Sequence, residues 1–163
     1  MGWNKYKHLY IIIIQFTLVL AGYFFTGSDN LSSSMWPAIG FSTIFYINDK
    51  KSLLPILIGT LLGQLCNQLF LLENTIPLSI TYTLVFSIVS TLEVILFKIV
   101  YFSLMKKLSF KNSELVSLFI TFIVSSIAGG IIVGTTLYIV NQQSLINIGS
   151  RWAMGDFFGM AIF

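Results

Sequence analysis

Four ionisable side chains interrupt the long apolar stretches of this sequence: Glu93, Lys98, Arg151 and Asp156. At the middle of a membrane helix each would cost about 2.5 to 3.5 kcal/mol, so such a group is by default a candidate for function. Lys98 lies near the end of its stretch, where its long stem can carry the ammonium to the membrane surface. Glu93, Arg151 and Asp156 are therefore the stronger candidates for contact with a ligand or a signal.

Polar and aromatic residues accompany these groups at helical spacing. Gln64 and Asn67 would share one helix face, and Trp152 and Asp156 would share another. Arg151 and Asp156 are five residues apart, or about 140° around a helix, so each of them needs a partner on another helix.

The expected depths of these groups in the bilayer are similar. At 1.5 Å per residue from the outer helix ends, Asn67 lies about 8 Å deep, Asp156 about 16 Å and Glu93 about 21 Å. We therefore expect a polar pocket in the outer part of the bilayer, open toward the extracytoplasmic side. The alternative is a set of interhelical hydrogen bonds, each contributing about 0.6 kcal/mol, with no ligand.

The composition sets the class of protein. Of the 163 residues, 56% are apolar and 9% are charged, against about 25% charged in an ordinary soluble domain. This balance excludes a soluble enzyme, a disordered chain and a nucleic-acid binder. His8 and Cys66 are the only residues of their types, and no nucleophile or phosphate-binding loop is recognisable. We expect no catalysis, no metal site and no cofactor.

The element pattern is all-α, because the apolar runs are long and lack the alternation of β-barrel strands. A bilayer core of about 30 Å needs about 20 apolar helical residues. The sequence predicts a polytopic helix bundle in the lipid bilayer with about six transmembrane helices, at Leu9–Phe25, Leu31–Ile47, Leu53–Leu72, Pro77–Met105, Leu115–Val140 and Leu145–Phe163.

The basic residues predict the orientation. With six crossings, one side of the membrane receives all the loop lysines: Lys5, Lys7, Lys50, Lys51, Lys106, Lys107 and Lys111. The N-terminus is therefore expected in the cytoplasm, in a multi-pass protein of a bacterial inner membrane.

Small residues recur at four-residue spacing in three of the predicted helices. Such pairs permit close helix approach, within one bundle or, as the alternative, in a homodimer. The residues concerned are Gly59, Gly63, Gly130, Gly134, Gly155 and Gly159.

The order of motifs resembles the bacterial membrane-associated sensor domain of the first type, the MASE family. The resemblance spans Leu31 to Phe163 and is carried by Trp36-Pro37-Ala38-Ile39-Gly40, Gly59-x-x-x-Gly63-x-x-x-Asn67, Thr91-Leu92-Glu93 and Trp152-x-x-Gly155-Asp156-x-x-Gly159. It implies a site role for Trp36, Asn67, Glu93, Trp152 and Asp156. Where the family often has Asn before Thr-Leu-Glu, this chain has Ser90.

The resemblance implies a sensory input domain that detects a small ligand or a membrane protein partner and controls a cytoplasmic output domain. In the family, that output domain is a histidine kinase of a two-component system or a cyclic-di-GMP enzyme. On this basis residues 1–163 form a single incomplete sensory domain, with further helices expected after Phe163. Two alternatives remain: a solute-binding membrane subunit of an importer, and a structural membrane anchor.

Overall fold

The fold consists of helices throughout. This computed structural model describes residues 3–23, 37–71, 75–108, 112–142 and 144–162, of which 96% are helical. The six α-helices are α1 (Trp3–Tyr23), α2 (Pro37–Asn48), α3 (Leu53–Cys66), α4 (Ile76–Lys107), α5 (Ser113–Asn141) and α6 (Leu145–Ile162). The all-α prediction is confirmed.

Four described helical stretches are long and apolar enough to cross a membrane: α1, α4, α5 and the stretch Lys50–Phe70, which contains α3. The other two predicted spans do not meet this criterion. Helix α2 has 12 residues, and the predicted start of its segment at Leu31 lies outside the described residues. Helix α6 has 18 residues but includes Arg151 and Asp156, which lower its apolar content.

Helix boundaries follow local chemistry. Pro77 occupies the first turn of α4, where the missing N–H costs nothing. Helix α3 continues into a five-residue π-helical segment, Asn67–Leu71. Asn112 and Gln142 flank α5 in the left-handed conformation, with φ of 71° and 57°. Asparagine tolerates this conformation better than most residues do.

Helix α5 buries several hydroxyl side chains while many of its apolar side chains are exposed. Ser117, Thr121 and Ser125 are buried, and the hydroxyls of Thr121 and Ser125 donate to backbone carbonyls one turn earlier, at 2.6 and 2.7 Å. Phe119 and Ile131 of the same helix are 56% and 57% exposed. In water such a surface would be unfavourable, whereas in lipid it matches its surroundings.

Glycine allows α1 and α3 to pack in close contact. A Cβ atom at Gly59 would lie 2.8 Å from Cβ of Gln15, and one at Gly63 would lie 2.7 Å from Cβ of Val19. Because both partner positions advance together along the chain, the two helices are parallel. The Gln15 amide donates to Thr60 Oγ1 at 2.9 Å within this contact.

Glycine also brings α5 against α6, here in antiparallel orientation. A Cβ atom at Gly134 would lie 2.7 Å from the Leu145 carbonyl oxygen, and one at Gly130 would overlap with the Gly149 carbonyl oxygen. The backbones of the two helices are therefore in direct contact. Gly155 and Gly159 are buried on α6.

The lysines near the start of α1 and after α2 lie at the same end of the bundle. Lys7 Nζ donates to Asp49 Oδ2 at 2.8 Å, and the Lys51 backbone N–H donates to Asp49 Oδ1 at 2.9 Å. These two hydrogen bonds, that from Lys7 first, hold the pKa of Asp49 below its usual value. The salt bridge therefore joins the α2–α3 connection to α1.

We expect the Asp49→Asn variant to unfold at a slightly lower temperature than the unsubstituted chain at pH 7, because an exposed ion pair contributes little. Because the pKa of Asp49 is lower in the folded than in the unfolded protein, its ion pair contributes stability above about pH 4. This stability is lost as the pH falls through the folded-state pKa. Thermal unfolding in detergent from pH 7 to pH 3 measures this. A difference between the two proteins that stays constant over this range would contradict the assignment.

Candidate functional site

The candidate site is a pair of buried carboxyl groups on two different helices. Glu93 on α4 is 2% exposed and Asp156 on α6 is 1% exposed. Their carboxyl groups interact with each other, and each also interacts with the Trp152 indole. The structure thus brings together three of the residues that the sequence predicts for the site.

The hydrogen-bonding capacity of these carboxyl groups is not filled. Neither oxygen of Glu93, nor Oδ2 of Asp156, has a hydrogen bond of good geometry to any residue that the structure describes. A buried carboxylate without hydrogen bonds or a counter-charge is costly. A proton, a cation or a hydrogen-bonding ligand between the two groups would reduce this cost.

Gly129 on α5 makes room for the Glu93 side chain. A Cβ atom at position 129 would overlap with Oε1 and Cδ of Glu93 and would lie 2.9 Å from its Cγ. The carboxyl group of α4 therefore lies directly against the backbone of α5. Together with Asp156 on α6, this contact makes Glu93 the meeting point of three helices.

An aromatic column continues from the carboxyl pair. Trp152, one turn before Asp156, packs on Phe86 with ring centroids 5.1 Å apart, and Phe86 stacks on Tyr82 at 5.6 Å. Phe86 precedes Glu93 by two turns on α4, so α4 and α6 run in the same direction. Their contact is made through these long side chains, whereas α6 packs closely on α5 and α2.

Two small hydroxyl residues lie one helical turn from the centre of the site. Ser90 precedes Glu93 on α4, and Ser126 precedes Gly129 on α5; they are 6% and 2% exposed. Their hydroxyl oxygens have no hydrogen-bond partner within the described ranges. They add unfilled donors and acceptors near the carboxyl pair.

The pair is enclosed in this arrangement of helices. The sequence predicts a pocket open toward one side, whereas both carboxyl groups are almost completely covered by protein. The apolar clusters around Phe86 and Trp152 on one side, and around Val94, Phe97 and Met160 on the other, account for this cover. Access to the pair from water therefore requires the helices to move.

The remaining predicted site residues lie elsewhere or outside the described residues. Asn67 donates to the Val19 carbonyl oxygen at 3.3 Å, which places it in the α1–α3 contact. Gln64 is buried on α3, and its Nε2 has no partner among the described residues. Arg151 is half-buried on α6. Trp36 lies outside the described residues.

The sequence pattern does not indicate a role for Gly129, and for Lys98 it predicts only that the ammonium reaches the membrane surface. The four-residue spacing indicates the neighbouring Gly130 but not Gly129. The role of Gly129 becomes visible only in the register of α4 on α5. Lys98 Nζ donates to the Tyr46 and Ile47 carbonyl oxygens at 2.6 and 3.0 Å and lies 4.5 Å from the centre of the Tyr46 ring. It therefore connects α4 to the C-terminal end of α2, where a positive charge is favourable.

Within the described ranges, no group of three or more His, Cys, Asp or Glu side chains could hold a metal ion. Comparison of the chain with protein-family models, curated proteins and solved structures finds no match.

Proposed function

We propose that this chain is a membrane-embedded sensory input domain that responds at the Glu93–Asp156 pair and controls a cytoplasmic output domain, a histidine kinase or a cyclic-di-GMP enzyme. The observation that carries the proposal is the burial of two interacting carboxyl groups, on α4 and α6, with unfilled hydrogen-bonding capacity. The resemblance to the MASE family supports it through Glu93, Trp152 and Asp156.

The mechanism follows from the energetics of the pair. Two buried acids are tolerated at low cost only when a proton, a cation or a hydrogen-bonding ligand lies between them. Binding of such a group therefore changes the free energy of bringing α4 and α6 together. A ligand or partner that binds better to one helix arrangement shifts the population toward it. Because the Glu93 side chain also packs against Gly129, we expect a change in the helix arrangement to move α5 as well.

The proposed orientation places the lysine-rich end of the bundle in the cytoplasm of a bacterial cell, with the chain in the inner membrane. The salt bridge between Lys7 and Asp49 supports the grouping of these loops at one end. Lysine and arginine on short loops favour the cytoplasmic side. The start of α6 would then lie on the opposite side from the output domain.

The structural-anchor alternative needs glycine faces for contact between copies. Gly59, Gly63, Gly130 and Gly134 instead lie in contacts within the chain.

The importer alternative would place polar side chains along a path through both halves of the bilayer. Buried hydroxyl side chains do accompany the pair along α4 and α5, so the uptake measurement described below decides this alternative.

The test is to replace Glu93 by Gln and Asp156 by Asn, singly, in the chain joined to its natural output domain. We expect at least a tenfold loss of signal-dependent output, since the amides keep the shape of the side chains but remove the carboxyl groups that would hold a proton, a cation or a ligand. Output is measured as phosphotransfer or cyclic-di-GMP level in isolated membranes, and folding by thermal unfolding. The control is Glu114→Gln, an exposed acid at the start of α5.

The three functions predict different results. Unchanged output from both folded variants would contradict a sensor and favour the anchor. Solute uptake that depends on the chain alone in vesicles would favour the importer. Loss of output in folded Glu93→Gln and Asp156→Asn, with normal output from Glu114→Gln, supports the proposal.

A further inference from the structure

A cleft lies at the lysine-rich end of the bundle, between α4 and the end of α2. Its volume is about 590 Å³, which is within the usual range for a small-molecule site. Three lysines line it: Lys50, Lys98 and Lys106. This cleft is separate from the carboxyl pair and has no role in the function proposed above.

The charge in the cleft is of one sign. None of its lining residues is acidic, and the carboxylate of Asp49, next to Lys50 in the chain, forms a salt bridge with Lys7. Lys98 is fixed by its bonds to the Tyr46 and Ile47 carbonyl oxygens, whereas Lys50 and Lys106 are exposed. Within the described residues, neither exposed lysine forms a salt bridge. The cleft thus presents two free ammonium groups beside a third that is held in place.

The rest of the cleft is apolar and continues onto the outer face of α4. Its wall includes Ile95, Ile99 and Phe102, and the latter two are 62% and 42% exposed. This face belongs to a helix long and apolar enough to cross a membrane. A molecule that fills the cleft therefore needs an anionic head and an apolar tail that extends along the helix.

We propose that the cleft binds an anionic phospholipid of the surrounding membrane. Its phosphodiester group contacts Lys50 and Lys106 beside the fixed ammonium of Lys98, and an acyl chain lies along Ile95, Ile99 and Phe102. Basic pockets between membrane helices are suited to such head groups. Because Lys98 joins α2 to α4, the bound lipid would stabilise that junction.

The test uses the full chain purified in detergent and a fluorescent phosphatidylglycerol as the probe. The Lys50→Gln/Lys106→Gln double variant is expected to bind it about 30-fold more weakly. The matched control is Lys51→Gln/Lys107→Gln, two exposed neighbours of the same charge that do not line the cleft. It should change the affinity by less than about threefold. Unlabelled phosphatidylglycerol should displace the probe.

The competition arms distinguish the lipid from other anions. Phosphatidylcholine and inorganic phosphate, each at the concentration at which phosphatidylglycerol displaces the probe, should displace little of it. Displacement by phosphate would reassign the cleft to a free anion, and equal displacement by phosphatidylcholine would remove the role of charge. Equal weakening in both double variants would also overturn the site.

A second measurement needs no substitution. A photoactivatable phosphatidylglycerol, with its reactive group in the acyl chain, should label the peptide that spans residues 95–106 after irradiation. Label found mainly on α5 or α6 would overturn the proposal. This experiment decides the question even when a lysine variant does not fold.

Discussion

The Gly129→Ala variant is expected to be much less stable than the unsubstituted chain. The added methyl group would overlap with the carboxyl group of Glu93, and the atoms that it meets belong to a side chain confined by three helices. Overpacking of this kind costs about 1 to 3 kcal/mol. For a domain of this size that corresponds to a loss of about 3 to 10 °C in the unfolding temperature.

Thermal unfolding in detergent measures the effect, and a second substitution identifies its cause. Shortening Glu93 in the same protein, as Gly129→Ala/Glu93→Ala, removes the overlap and should recover part of the loss. The control Ile131→Ala lies on the exposed face of the same helix and should change stability much less. An unfolding temperature for Gly129→Ala equal to that of the unsubstituted chain would show that Glu93 does not lie against α5.

The amide variants of the carboxyl pair are expected to be more stable than the natural chain. Glu93→Gln with Asp156→Asn keeps volume and hydrogen-bonding groups but removes two acids from a buried site. Replacing a buried ion pair by hydrophobic residues of similar volume is often neutral or stabilising, by about 1 to 4 kcal/mol, and we expect removal of two unpaired buried acids to act in the same direction. Stability gained with loss of signalling is the usual sign of a functional site under strain.

Thermal unfolding of the double amide variant, compared with Glu114→Gln, measures this effect. The exposed Glu114 contributes only general charge, so its variant should unfold near the temperature of the natural chain. A double amide variant that unfolds well below the natural chain would mean that the two acids stabilise the fold. They would then be structural, and the proposed site would be wrong.

The sequence predicts the helices well because apolar runs of 20 or more residues leave little choice of structure in lipid. It also predicts that Glu93 and Asp156 lie at similar depths, since depth depends only on the rise per residue. Similar depth allows a contact between them, but the contact itself depends on how α4 and α6 are placed around α5. The positions of the lysines in the sequence also predict that Lys7 and the α2–α3 connection lie at the same end of the bundle, as the Lys7–Asp49 salt bridge shows.

Other features depend on which helices are neighbours and in which register, and local pattern does not contain that information. Asn67 is polar and at the expected depth, yet its side chain bonds to α1 and does not reach the carboxyl pair. Gly129 acquires its role only from the position of Glu93. Lys98 could reach toward solvent by its length alone, whereas its observed partners are carbonyl groups on a helix about 50 residues earlier.

The seam between α5 and α6 has a mechanical consequence. Interlocking side chains normally fix the register of two packed helices. Here Gly130, Gly134 and Gly149 place main chain against main chain. At these glycine positions no side chains interlock, so we expect this part of the contact to resist a small displacement of α6 along α5 less than side-chain packing does. Asp156 travels with α6 and Glu93 stays with α4, so a piston-like displacement along the bilayer normal is the motion to which their separation responds most directly.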